Sequence, residues 1–384
     1  MTSNSSAIRA TAGASLPVSR SHCPGLTQTT LDHGPLCELQ LTLTPLPGEA
    51  WDTACRRLHD VLRDEEAAIA SLMVWGDVAL RDDALACLKR EFGQVAWPVT
   101  WTEGADLAGR PWSGMQVWAV RGARLSPLEI EGVVRACQYR GDSARRVFLG
   151  DLGAGQSAAS KPEQAARAFE QLETTLAKVG LDMSHVVRTW FFLDDILSWY
   201  GEFNQVRTSF FQLRRVFDGL VPASTGVGTR NPAGAAVALA ALAVESLGDR
   251  PVVTEIPSPA QCPATSYGSS FSRAVEIAAG RCRQVLVSGT ASIEPGGRSV
   301  RPNDLPGQIE LTFEVIGDIL KSRQLGFADT TRAVAYFKSA DGANVLTQWL
   351  GRHGLQSLPI IPTVAAVCRD ELLFELELDA VRAA

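Results

Sequence analysis

One order of elements, strand–helix–strand–helix–strand–strand, occurs three times along the 384-residue chain, and a repeat of that size restricts the possible folds more than any single motif does. The middle copy is clearest. A strand VFLGDL (147–152) leads to a helix opening at Ser160-Lys-Pro-Glu, where Ser160 is an N-cap, Pro162 sits in the first turn and Glu163 completes a capping box. The β-rich run HVVRTWFFLDD (185–195) follows, and then a helix over 199–217 whose Tyr200, Phe203, Val206, Phe210 and Leu213 share one face. Strands PASTGVG (222–228) and AAVALAALAVE (235–245) close the unit. The last copy runs from QVLVSGTA (284–291) through a helix over 305–325, TTRAVAYFK (330–338), a helix over 343–353 and IPTVAAV (361–367) to LLFELEL (372–378). A worn first copy has a helix over 51–63, IASLMVWGD (69–77), a helix over 82–92, WPVTW (97–101) and GMQVWAV (114–120). Pro98, Pro222 and Pro362 each open a penultimate strand, where a missing N–H costs the ladder nothing.

Such units predict an α+β fold with helices on one face of each sheet. The other face needs cover, and two sister sheets supply it, so the expected architecture is a pseudo-trimeric barrel with helices outside and three clefts between units. The expected boundaries are a disordered tail at 1–35, a degenerate unit at 36–125, and further units at 126–250 and 251–384. Trp97, Trp101, Trp112 and Trp118 suggest that the first unit is a structural buttress, with an aromatic interaction surface as the alternative.

Charge narrows the function. With 36 Lys+Arg against 42 Asp+Glu the net charge is −6, which excludes charge-driven nucleic-acid binding. No apolar run approaches the ~20 residues of a membrane span, and no apolar block follows Arg9 and Arg20 as a secretory leader would require. The eight cysteines stand singly among five scattered histidines, so the sequence predicts reduced thiols, a cytoplasmic protein, no metal and no cofactor.

The final strand carries the most pointed chemistry. In LLFELEL, Phe374, Leu376 and Leu378 share one face while Glu375 and Glu377 share the other. The corresponding strands of the other copies are apolar or small there, so one cleft of three holds an acid. The paired acids Asp82-Asp83 and Asp194-Asp195 sit where strands pass into helices and read as first-turn caps.

The βαβαββ order over residues 50–381, with Gly, Ser and Thr around the penultimate strand, resembles the Rid (YjgF-like) family, whose members form homotrimers with sites at subunit interfaces. That family's deaminases carry an Arg in a P-A-R-S-T strand. The counterparts here, Pro98-Val-Thr, Pro222-Ala-Ser-Thr and Pro362-Thr-Val, lack it. The chain is more closely similar to the chorismatases, single-chain relatives of that fold. The resemblance rests on Val367-Cys-Arg-Asp-Glu-Leu-Leu-Phe-Glu-Leu-Glu377, Tyr267-Gly268 with Phe271-Ser-Arg-Ala274, Arg188-Thr-Trp190, Pro222-Ala-Ser-Thr-Gly-Val-Gly228 and Leu286-Val-Ser-Gly-Thr-Ala291.

What this resemblance implies is an enzyme that removes pyruvate from chorismate, a dicarboxylate with an enolpyruvyl ether. Protonating the ether's methylene carbon requires an acid that keeps its proton near neutral pH, and Glu375, with Glu377 beside it, is the implied donor. Implied substrate contacts are Arg273, Arg188, Lys338 and Tyr267. Gly289 and Cys368 match the branch that forms 3-hydroxybenzoate: Gly289 leaves room for a shifted ring, and Cys368, implied with Glu375 as a catalytic residue, fills a site that could otherwise accommodate water. Hydrolysis to a dihydroxycyclohexadiene carboxylate is the alternative within the family. A divergent deaminase or hydrolase, or a metabolite-binding module, is the alternative outside it. The expected partner is a small molecule, with neither nucleic acid nor membrane, and the expected state is a monomer or a weak homo-oligomer.

Overall fold

The computed structural model describes residues 16–153, 155 and 159–384, with only the backbone of Tyr267. Its first unit comprises β1 (Val18–Cys23), β2 (Leu26–Asp32), β3 (Cys37–Leu43), α1 (Trp51–Asp64), β4 (Ala68–Gly76), α2 (Arg81–Phe92), β5 (Val99–Thr102) and β6 (Trp112–Arg121). The second comprises β7 (Ser126–Ile130), β8 (Val133–Arg140), β9 (Ala144–Leu152), α3 (Lys161–Lys178), β10 (Val186–Leu193), α4 (Ile196–Leu213), β11 (Ala223–Gly228) and β12 (Val237–Ser246). The third comprises β13 (Val253–Ile256), β14 (Ala274–Ala279), β15 (Cys282–Ala291), α5 (Leu305–Lys321), β16 (Thr330–Phe337), α6 (Ala343–Arg352), β17 (Ile360–Val364) and β18 (Phe374–Ala383).

Each unit builds one six-stranded sheet, and the three orders are the same: β1-β2-β3-β6-β4-β5, β7-β8-β9-β12-β10-β11 and β13-β14-β15-β18-β16-β17. The penultimate strand pairs parallel to the strand between the two helices in every sheet, and the other neighbours are antiparallel. The α+β architecture of three like units is therefore present.

Three expectations need correction. Residues 18–32, assigned to a disordered tail, form β1 and β2, so the first sheet begins at Val18; residues 1–15 lie outside the described part. Each unit also begins with a hairpin that the repeat pattern omitted: β1–β2, β7–β8 and β13–β14. Pro362 lies inside β17 rather than ahead of it. It is tolerated because β17 is an edge strand, whose outer N–H groups serve no ladder.

Helices cover the outer face of every sheet. In the second unit Phe169 of α3 and Phe203 and Phe210 of α4 pack with Phe191 of β10. The capping box at α3 is formed, with the Ser160 and Glu163 side chains each meeting the other's backbone N–H. In the first unit Trp51, Trp101 and Trp112 pack together under α1, whereas Trp118 turns to the opposite face. That opposite, inner face is shared. Trp118 and Met73, Phe148 and Trp190, and Leu286 and Tyr336 join one central core drawn from all three sheets. With helices on one side and sister sheets on the other, β10 and β16 are buried along their whole length. The sheets stay separate and meet at short junctions. In one, Ala223 bridges Ser272, Ser224 N–H donates to Ser288 Oγ at 2.8 Å, and Gly228 and Ala366 exchange backbone hydrogen bonds.

Candidate functional site

The junction between β11 of the second unit and β15 and β18 of the third opens into a narrow cleft. Ser224 and Gly226 of β11, Tyr200 and Arg207 of α4, Phe271 and Arg273 ahead of β14, Gly289 of β15, Cys368, Arg369 and Glu375 line it. Equivalent strand positions can be read from the register. Glu375 lies opposite Tyr336, Ala238 opposite Phe192 and Gly114 opposite Trp75, each partner standing four residues past the same bulge. The three final strands thus present Glu, Ala and Gly at one place, and the acid belongs to this cleft.

Glu375 is almost fully buried, at 4% exposure. Burial is the main reason its carboxyl is pushed up to about 8; the ionised Glu377 adds to the shift and Arg188 partly offsets it. At neutral pH it is a carboxylic acid facing a cleft. Glu377, two residues on and sharing its face of β18, is completely buried and in the opposite state. Burial alone would raise it, but Arg332 and Arg188 outweigh burial and hold it below the ordinary carboxylate range. Its Oε2 accepts from Arg188 Nη2 at 2.7 Å and from Thr225 Oγ1, and its Oε1 accepts from Arg332 Nη2 at 2.5 Å and Trp190 Nε1 at 3.1 Å. Two neighbouring carboxyls are thereby set to different charges.

The sequence-derived residues separate into groups. Glu375, Gly289, Arg273 and Cys368 are brought together in the cleft. Arg273 is buried, donates through Nε and Nη2 to the Cys262 carbonyl at 3.1 and 2.9 Å, and packs its guanidinium against Phe271. Cys368 is partly buried, and burial beside Glu375 pushes its thiol up to about 12, so it is a neutral wall of the cleft. Arg188 is not in the cleft. Its strand faces the central core, and the side chain is consumed by Glu377 and by Thr225 Oγ1 at 2.6 Å while stacking on Trp190. Lys338 is not there either; at the end of β16 it turns outward to the Asp370 carboxylate at 2.7 Å. The Tyr267 side chain lies outside the described residues.

Sequence reading missed Arg207 and Arg369. Arg207 is buried on α4 among the Phe203, Phe191 and Phe271 rings, and its Nη2 donates to Asn204 Oδ1 at 2.6 Å. A buried Arg on the apolar stripe of a helix is the signal that could have found it, because such a charge needs a purpose. Arg369, in the same run as Cys368, reaches the Gly297 carbonyl and Ser299 Oγ at 2.9 and 3.1 Å. Three guanidinium groups and one protonated acid thus line a single cleft, an arrangement fitted to an anionic substrate that needs a proton. Among the described residues no cluster of three His, Cys, Asp or Glu is spaced to hold a metal, and no helix is long and apolar enough to cross a membrane.

Gly289 sits at a β15 bulge, where a Cβ would fall 2.1 Å from Glu375 Oε1 and 3.2 Å from Thr225 Cγ2. Gly289→Ala is expected to leave the thermal midpoint nearly unchanged, because the carboxyl can swing into the cleft, and, for the reaction proposed below, to lower kcat by about 100-fold through misplacement of the acid. Steady-state kinetics together with a melting curve check both halves.

Comparisons with known proteins bear on the fold. Residues 150–247 match the family model described as Endoribonuclease L-PSP. A solved structure titled as a chorismatase superposes with a TM-score of 0.61 at 20% identity, covering 81% of this chain and 92% of its own. Two yeast proteins, YEO7 and Mmf1, match at 13% and 17% identity with TM-scores of 0.29 and 0.28, covering 33% and 34% of this chain and 97% and 98% of theirs. No curated protein sequence matches. The chain is an α+β protein of three Rid/YjgF-like units, a fold it shares with the solved chorismatase.

Proposed function

We propose that this protein is a chorismatase that releases pyruvate from chorismate and forms 3-hydroxybenzoate. The observation that carries the reading is Glu375: a carboxyl held protonated to about pH 8, facing a cleft lined by Arg207, Arg273 and Arg369. Guanidinium groups suit the two carboxylates of chorismate because they pair bidentately. Glu375 gives its proton to the enol ether's methylene carbon, which becomes the methyl group of pyruvate. The oxocarbenium ion so formed makes the ring C3–O bond a leaving bond. The ring's C4 hydroxyl attacks C3 as that bond breaks, its proton returns to Glu375, and the resulting epoxide opens and aromatises. Atoms balance without water, since chorismate minus pyruvate has the composition of hydroxybenzoate.

Gly289 and Cys368 support this outcome over hydrolysis. The first leaves space beside the acid for the ring, and the second fills the wall with an uncharged thiol rather than a group that would hold a water. The solved chorismatase of the same fold supports the substrate class. The test is incubation of purified protein with chorismate, following pyruvate enzymatically and the ring product by chromatography. Pyruvate with 3-hydroxybenzoate is expected. Pyruvate with a non-aromatic diol would retain the substrate and overturn the product. Intact chorismate would overturn the reading and leave a divergent deaminase, or a binding module, on the same fold.

A further inference from the structure

Beside the acid lies a construction that protonation of chorismate does not by itself require. Glu377 receives four hydrogen bonds, from Arg188 and Trp190 of β10, Thr225 of β11 and Arg332 of β16. Arg332 also donates from Nε to Gln116 Oε1 of the first unit at 2.6 Å and lies 3.4 Å from Asp379. The second and third units thus meet at one buried carboxylate, and the first joins the network through Arg332. Thr225 is saturated: its hydroxyl donates to Glu377 and accepts from Arg188 Nη2 and from Gly289 N–H at 3.0 Å. That last bond secures the bulge from which Gly289 faces Glu375. Among the described residues Glu375 itself makes no ion pair, although Arg188 is close enough to act on it.

We propose that Glu377, locked by Thr225, is a positioning residue that engages Arg188 and Arg332, keeps their charge from Glu375, and so maintains the neighbouring carboxyl as an acid. The inference rests on Glu375 being the proton donor of the proposed reaction. Two carboxyls sharing a strand face with two arginines could otherwise divide the cations between them, and both would ionise. Four donors converging on Glu377 remove that possibility, and its fixed negative charge then opposes ionisation of Glu375.

The groups facing Glu375 make the direction of each perturbation definite. On its own strand there is Glu377; across the pair on β16 there is Tyr336, kept neutral by burial; Cys368 in the preceding segment is neutral as well. Arg188 approaches from β10. Arg207, Arg273 and Arg369 line the cleft in every variant considered and are left unaltered. Replacing Glu377 by Gln removes the repulsion and releases Arg188 and Arg332, and both changes favour ionised Glu375. Replacing Arg188 by Met removes an attraction and has the opposite sign.

The experiment is a titration of Glu375 without substrate, reading the carboxylic-acid C=O stretch by difference infrared spectroscopy and assigning it by its loss in Glu375→Gln. The wild-type midpoint is expected near pH 8. Glu377→Gln is expected to lower it by about 1–3 units and Arg188→Met to raise it. The double variant Arg188→Met/Glu377→Gln, which cancels both charges and protects against misfolding of the singles, is expected to return it to within about half a unit. A wild-type midpoint near 8 that neither single variant moves would overturn the positioning role while leaving the acid in place. Absence of the band at pH 7 in the wild type would overturn the role of Glu375 as acid and this inference with it. A Glu377 of purely structural function would lower turnover at every pH without displacing the midpoint, which also counts against the proposal.

Discussion

Glu375→Gln is expected to abolish pyruvate release from chorismate, with kcat falling by about 10³–10⁴-fold, and to make the protein more stable at pH 7. The first effect follows from the loss of a transferable proton in an isosteric side chain. The second follows from linkage. The folded protein retains the Glu375 proton until about pH 8, whereas the unfolded chain gives it up near the ordinary value of 4.5. Glu375 therefore destabilises the fold progressively as pH rises between those values, and the full cost persists above them. Glutamine removes that cost, on the order of 1–3 kcal/mol at neutral pH. Urea denaturation of both proteins at pH 5 and pH 7 checks the sign: the advantage of the variant should be small at pH 5 and grow by pH 7. For the wild type, kcat/KM should be flat through neutrality and decline above about pH 8 as the acid ionises. A variant that turns over chorismate normally would remove Glu375 from the reaction.

The second large effect concerns stability. Arg188 is fully buried, pairs with Glu377 at 2.7 Å and stacks on Trp190 with its guanidinium carbon 4.8 Å from the ring. Arg188→Met leaves Glu377 with one cation instead of two and deprives Thr225 of a donor. Breaking a buried, hydrogen-bonded pair from one side costs on the order of 3 kcal/mol, since the remaining charge keeps its desolvation penalty. Chemical denaturation should show this loss, and Arg188→Met/Glu377→Gln should recover part of it, because the charge left behind is then also removed. A single variant as stable as the wild type would mean that Arg332 alone satisfies Glu377.

The sequence disclosed the fold through the elements that repetition and burial made strong. The interior strands are covered on both faces, so HVVRTWFFLDD and TTRAVAYFK read as continuous β-rich runs, and the helices between them carry apolar stripes and caps. The leading hairpins were illegible for the converse reason. VSRSHC (18–23), SPLEI (126–130) and VTEI (253–256) run along sheet edges with exposed residues, and nothing in their composition distinguishes them from loop. In the site, Glu375 was legible because alternation in LLFELEL gives it a face. Its cations were less so. Arg188 and Arg273 both adjoin apolar or aromatic residues, yet only the packing of three units decides that one meets Glu377 and the other the cleft. Lys338 turns toward Asp370 at a strand end, where one residue of register separates inward from outward.

The shared topology of the three sheets has a further meaning for inheritance. Were the units separate identical chains, a substitution would appear at every junction simultaneously, and a change useful at one would have to be tolerated at the rest. Because they are continuous in one polypeptide, Glu375, Ala238 and Gly114 occupy one register position as independent characters. At its own junction Gly114 has no space for a side chain, since a Cβ would fall 2.8 Å from Ile361. Two junctions are thereby released to become scaffold, and selection can refine the third alone.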